Sequence, residues 1–103
     1  MSFPAPAPDS FALITGASQG IGEAIARDLA KGGHNLIVVA RREEVLTTLA
    51  DELAAAHGVN VEVFAADLSK ERDVTALLDH IQKRRIDICV NSAGIASFGP
   101  FMQ

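Results

Sequence analysis

The stretch Thr15-Gly16-Ala17-Ser18-Gln19-Gly20-Ile21-Gly22 decides how this chain is read, because an apolar run of strand length enters it and a helical periodicity leaves it. Phe11 to Ile14 is unbroken apolar sequence, whereas Ile21, Ala24, Ile25 and Leu29 return at helical spacing. Three glycines lie between the two. Lacking a Cβ, glycine tolerates positive φ and lets backbone N–H groups come close to a bound anion. The start of a helix adds unpaired N–H groups and the positive end of its dipole. The implied guest is a phosphate, and after a buried strand the pyrophosphate of a dinucleotide fits best. The spacing is Gly-x-x-x-Gly-x-Gly rather than the more familiar Gly-x-Gly-x-x-Gly. From the glycines alone, a tight strand-to-helix turn in some other α/β protein is the competing reading.

Further along, Lys31-Gly32-Gly33 closes the first helix and Leu36-Ile37-Val38-Val39-Ala40 reads as a second buried strand. Arg41-Arg42-Glu43-Glu44 opens a second helix with Leu46, Leu49, Ala50 and Leu53 on one face, Asp51 and Glu52 on the other, and Gly58 at its end. Val61, Val63 and Ala65 alternate with Glu62 and Phe64 in a third strand, after which Ala66-Asp67-Leu68 turns the chain. Ser69 is the expected N-cap of a third helix. Glu71 and Asp73 stand near its start, Val74, Leu77, Leu78 and Ile81 form its apolar face, and Lys83-Arg84-Arg85 is read as a solvated terminus that suits the dipole. Ile86 to Val90 is the fourth strand, ended by Asn91-Ser92-Ala93-Gly94.

Four strands alternating with three helices predict an α/β fold, a Rossmann-like parallel sheet in the order 3-2-1-4. In such a sheet the ligand lies beyond the carboxyl ends of the strands, where the strand order reverses. Thr15-Gly16, Ala40-Arg41, Ala66-Asp67 and Asn91-Ser92-Ala93-Gly94 are therefore expected on one rim.

The 103 residues amount to one domain or part of one. Hydrophobic residues make up 49% and charged residues 21%, and the longest apolar run is far short of a membrane span. A net charge of −4 and a pI near 5.2 argue against a general nucleic-acid surface. The single cysteine, Cys89, allows no disulfide framework, and with His34, His57 and His80 it forms no metal-ligand pattern, so a reducing, cytoplasmic compartment is the expectation. Residues 1–8, in which proline and alanine alternate from Pro4 to Pro8, lack the charged and apolar regions of a signal peptide and read as an extended, flexible tail.

Taken in order, these motifs resemble the N-terminal half of the short-chain dehydrogenase/reductase family, from about Phe11 to Phe101, with residues 9–103 as half of its dinucleotide-binding domain. Thr15-Gly16-x-x-x-Gly20-x-Gly22 is similar to the family's cofactor turn, Asp67-Leu68 to its adenine-side pair, and Asn91-Ser92-Ala93-Gly94 to its Asn-Asn-Ala-Gly strand end, with Ser92 in place of the second Asn. Gly99-Pro100-Phe101 resembles the segment that follows in many members. The resemblance implies that Gly16, Ser18, Gln19, Gly20, Ile21 and Gly22 form the turn around the phosphates and adenosine ribose. It implies also that Asp67 and Leu68 flank the adenine, with the Asp67 carboxylate receiving its exocyclic amine. Asn91, Ala93 and Gly94 would lie along the cofactor, and Thr15 would tie the turn to the fourth strand rather than touch a ligand.

Cofactor choice is read at the end of the second strand. A carboxylate there would accept from the ribose 2′-OH of NAD and repel a 2′-phosphate. This chain has Ala40, Arg41 and Arg42 instead, and a guanidinium matches a phosphate dianion in charge and in its planar fork of donors. NADP (NADPH) is favoured over NAD. The competing reading pairs both arginines with Glu43, Glu44 or solvent, and Gln19 stands where the family often has a further basic residue.

The family's chemistry passes hydride between nicotinamide and a carbonyl or alcohol carbon, using a Tyr, a Lys four residues later and a Ser. The chain contains no tyrosine. The resemblance therefore implies that these catalytic positions lie beyond Gln103, in a longer oxidoreductase acting on a small carbonyl or alcohol substrate. The alternative is a non-catalytic nucleotide-binding or interaction module. Neither reading calls for nucleic acid or membrane partners. The outer edge of the fourth strand, Ile86 to Val90, is expected to support self-association into a homo-oligomer.

Overall fold

The computed structural model describes residues 5–17 and 20–91. The elements follow the sequence periodicities closely: β1 Ser10–Thr15, α1 Gly20–Lys31, β2 Asn35–Ala40, α2 Glu43–His57, β3 Val61–Ala65, α3 Glu71–Ile81 and β4 Arg85–Asn91. All pairings are parallel and the sheet order is β3-β2-β1-β4, the Rossmann-like arrangement expected from the sequence.

Strand alternation sorts the core into two layers. Ala12 and Ile14 of β1 and Leu36 and Val38 of β2 face α1 and α2, packing with Ala26, Leu29, Leu46, Leu49 and Leu53. Leu13, Ile37 and Val39 face the other way, beneath α3, and meet Leu77, with Phe11, Phe64 and Ile81 packed around them. A strand covered on both faces must be apolar at every position, which is why β1 and β2 read as unbroken runs.

The fourth strand departs from simple alternation. Phe11 is paired with Ile86 but Ala12 with Ile88, so Asp87 is an extra residue at a bulge. Ile86 and Ile88, two residues apart, consequently point to opposite layers. Asp87 accepts a hydrogen bond from Arg85 Nε at 3.2 Å, and Arg85 Nη1 also reaches Asp9.

Two local expectations are corrected. Lys70, not Ser69, occupies the N-cap of α3, and it offers no side-chain cap; Ser69 is engaged with Asp67 instead. The basic trio is not a uniformly solvated terminus. Arg84 Nε donates to Glu62 of β3 at 2.7 Å, His80 Nε2 lies 2.9 Å from the same oxygen, and Arg85 begins β4. The edge-strand carboxylate of Glu62 thus holds Arg84, just past the end of the helix.

At the opposite end of the sheet from the expected rim, Asn35 acts as a buried clamp. Its Nδ2 donates to the carbonyls of Pro8 and Ser10, and its Oδ1 accepts the Asn60 N–H. The Ala7 carbonyl accepts the Ser10 N–H, so the chain just before β1 is fastened to the sheet.

Candidate functional site

The carboxyl ends of the four strands are tied together by hydrogen bonds. Thr15, almost fully buried, donates its hydroxyl to Asn91 Oδ1 at 2.9 Å, with the Val90 carbonyl at 3.4 Å. This links the end of β1 to the end of β4, as expected of Thr15. The N–H groups of Gly16 and Ala17 both point at the Val39 carbonyl of β2, at 2.8 and 3.3 Å, and the Ala66 N–H donates to the Ala40 carbonyl. Segments far apart in sequence thus form one rim at the switch between β1 and β4, where the order of the sheet reverses.

The glycine turn has the backbone its sequence calls for. Gly16 and Gly20 have φ of 69° and 60°, in the left-handed region that favours glycine. A Cβ at Gly20 would meet nothing within 4 Å, so conformation rather than space requires glycine there. Because the Gly16 and Ala17 amides are turned to Val39, the described N–H groups of this stretch that could meet an anion are those of the first turn of α1. Gly22 is buried in that first turn, while Ile21 is 74% exposed, an unusual placement for a large apolar side chain. Ser18, Gln19, Ser92, Ala93 and Gly94 lie outside the described residues.

At the end of β2, Arg41 and Arg42 are both exposed but differ in their company. Arg42 Nε donates to Glu44 Oε1 at 3.3 Å; Glu44's own backbone N–H first, and this contact second, hold the Glu44 carboxyl below its ordinary range. Arg41 makes no hydrogen bond or ion pair among the described residues, and its charge contributes to keeping Asp67 ionised. Among the described residues one arginine is thus matched by a carboxylate and the other is not.

Asp67 follows β3 in the loop that leads to α3. Its Oδ1 accepts the Ser69 hydroxyl at 2.6 Å and the Ser69 N–H at 3.0 Å, and its own N–H donates to Asp73 Oδ2 at 2.8 Å. The Ser69 hydrogen bonds, first from the side chain and then from the backbone, lower its pKa from the ordinary 3.8, with smaller help from Lys70 and Arg41. Leu68 packs against the α3-side core. The partners Ser69 and Asp73 were not singled out as site residues from sequence; the signal available was an Asp followed two residues later by Ser, the spacing of a side-chain-closed turn.

Among the described residues no group of His, Cys, Asp and Glu could hold a metal ion, and no helix is long and apolar enough to cross a membrane.

Residues 10–103 match the short chain dehydrogenase family, and the chain belongs to it. It is 43% identical over 86 residues to sulfoacetaldehyde reductase 2 of Chromohalobacter salexigens, covering 82% of this chain and 33% of that protein. Among solved structures, the short-chain dehydrogenase from Sphingobium yanoikuyae in complex with NADPH superposes with a TM-score of 0.79 at 42% identity, over 85% of this chain and 35% of that one. L-sorbose reductase from Gluconobacter frateurii, complexed with NADPH and L-sorbose, gives 0.77 at 35% identity, over 90% and 36%. The chain spans about a third of the length of these relatives and constitutes the NAD(P)-binding region of the family fold.

Proposed function

We propose that this chain is the NADP(H)-binding part of an oxidoreductase that passes hydride between nicotinamide and a small carbonyl or alcohol substrate. The observation that carries the cofactor choice is Arg41. It stands exposed at the carboxyl end of β2 with no internal partner among the described residues, beside an arginine that has one. An unpaired guanidinium at this point favours a 2′-phosphate over a bare hydroxyl. Two structural neighbours were solved with NADPH bound, which supports the same choice.

The chain's own residues divide the work of binding. Gly16 and Gly20 shape the turn, and Ser18, Gln19, Gly20, Ile21 and Gly22 bring backbone groups to the phosphates. Arg41, with Arg42 beside it, would hold the 2′-phosphate. Asp67 and Leu68 would flank the adenine, and Asn91, Ala93 and Gly94 would lie along the cofactor. When bound, the cofactor supplies or accepts the hydride. The Ser, Tyr and Lys that complete such a site are proposed to follow Gln103 in the native polypeptide, which would act in the cytoplasm and as a homo-oligomer.

The test is a titration of NADPH and NADH against the protein and its Arg41→Ala variant. The reading expects NADPH to bind about tenfold or more tightly than NADH, and the preference to collapse in Arg41→Ala with NADH binding unchanged. Equal binding of the two cofactors by the unaltered protein would remove the argument from Arg41. A protein that binds nucleotide but contains no Tyr-x-x-x-Lys in its native polypeptide would instead be a non-catalytic module.

A further inference from the structure

The chain ahead of β1 is tied, directly or through one side chain, to the amino ends of all four strands. The Ala7 carbonyl accepts the Ser10 N–H at 3.1 Å, and the Ala7 N–H donates to the Ser10 hydroxyl at 3.2 Å, closing a turn over Pro8 and Asp9. The Pro8 carbonyl accepts from Asn35 Nδ2, at the start of β2, at 3.1 Å. Through its Oδ1 the same side chain takes the Asn60 N–H, just ahead of β3. Asp9 meets Arg85, the first residue of β4, at 3.4 Å. Pro6 rests over the turn between α1 and β2, its Cγ 3.6 Å from the place a Cβ at Gly33 would take.

These contacts are unequal. Ser10 and Asn35 are buried, and Asn35 Nδ2 serves the Pro8 and Ser10 carbonyls together, so loss of Pro8 would strand one buried N–H. The Asp9–Arg85 pair is exposed on both sides and adds little. Prolines at 4, 6 and 8 narrow the conformations of the unfolded chain, so ordering this segment costs less entropy than ordering an ordinary peptide. We propose that residues 5–9 are a strap that clasps the amino ends of the strands, with Asn35 as its receptor, and so keeps the loop ahead of β3 docked on the sheet. The rim lies at the other end of the strands, where Gly16 and Ala66 donate to β2 carbonyls beyond the strap's reach. The strap therefore steadies one end of the sheet and leaves the other alone.

The test removes residues 2–8 from the full native polypeptide and follows amide hydrogen exchange. Protection of the Leu36 and Asn60 amides, whose bonds join the ends of β2 and β3 and involve no deleted residue, is expected to fall about tenfold. Protection at Gly16 and Ala66 on the rim should change by less than about twofold. Asn35→Ala tests the receptor. Its effect on the unfolding midpoint in urea should be smaller in the shortened protein than in the full one, because both changes remove the same Pro8 contact. Arg85→Gln should shift that midpoint little. Unchanged protection of Leu36 and Asn60 in the shortened protein overturns the proposal, as does an equal loss at Gly16 and Ala66, which would mean general destabilisation. Strictly additive effects of the deletion and Asn35→Ala overturn Asn35 as the receptor. The exchange comparison decides by itself if Asn35→Ala does not fold.

Discussion

The Thr15 hydroxyl and the Asn91 side chain, 76 positions apart in sequence, meet at 2.9 Å where β1 and β4 deliver their ends to the rim. The contact closes the sheet at the switch point and holds the glycine turn against the β4 end. Thr15→Val keeps the shape and removes the donor in a buried place. It should cost about 1–2 kcal/mol in urea unfolding, with Thr15→Ser recovering most of it. A change well under that range would mean that the contact does not hold the rim.

The glycine turn makes a separate prediction. Gly20→Ala introduces no clash, since a Cβ there meets nothing within 4 Å, but it places an L-residue at φ of 60°. The expected loss is about 1–2 kcal/mol, entirely conformational. Gly20→Asn, which tolerates the left-handed region better, should lose less. If alanine and asparagine are equally harmless, the turn does not depend on that backbone conformation.

These positions also mark what was legible from the sequence. The turn, the two central strands and the apolar helix faces were readable because each obeys a period or a residue-type constraint. The Thr15 link to β4 was implied by the family resemblance and is present. The bulge at Asp87 was not readable, since Ile86-Asp87-Ile88 has the alternation of a regular strand and only pairing with Phe11 and Ala12 reveals the extra residue. Ser69 was misassigned because an Ncap serine and a serine that closes a turn on a preceding aspartate have the same local sequence. The clamp of Asn35 and the convergence of His80 and Arg84 on Glu62 depend on long-range placement, to which no periodicity points.

Asp67 carries a pH signature. Its folded pKa lies below the ordinary 3.8, so its hydrogen bonds contribute stability that is fully present above that value and is lost as pH falls through the lower, folded one. The difference in unfolding midpoint between the protein and Asp67→Asn should be constant near neutrality and shrink in acid, below about pH 4. Glu44, lowered in the same sense, adds to the acid slope of both proteins and cancels in the difference. A difference that grows in acid would contradict the assigned direction.

Leu77 is the fully buried residue through which α3 meets the core formed with Leu13, Ile37 and Val39. Leu77→Ala should cost about 2–5 kcal/mol by chemical denaturation. Because α3 also carries Asp73, the same change should weaken cofactor binding. Loss of stability with unaltered binding would separate the helix from the site.

The central claim is that the cofactor lies across the strand-end rim, and amide chemical-shift mapping during an NADPH titration tests it most directly. The account predicts the largest shifts at Gly20, Ile21, Arg41, Asp67, Ser69 and Asn91, with little change in the cleft between α1 and α2 lined by Glu23, Arg27, Glu44 and Glu52. Shifts confined to that cleft, or none at the rim at saturating NADPH, would contradict it.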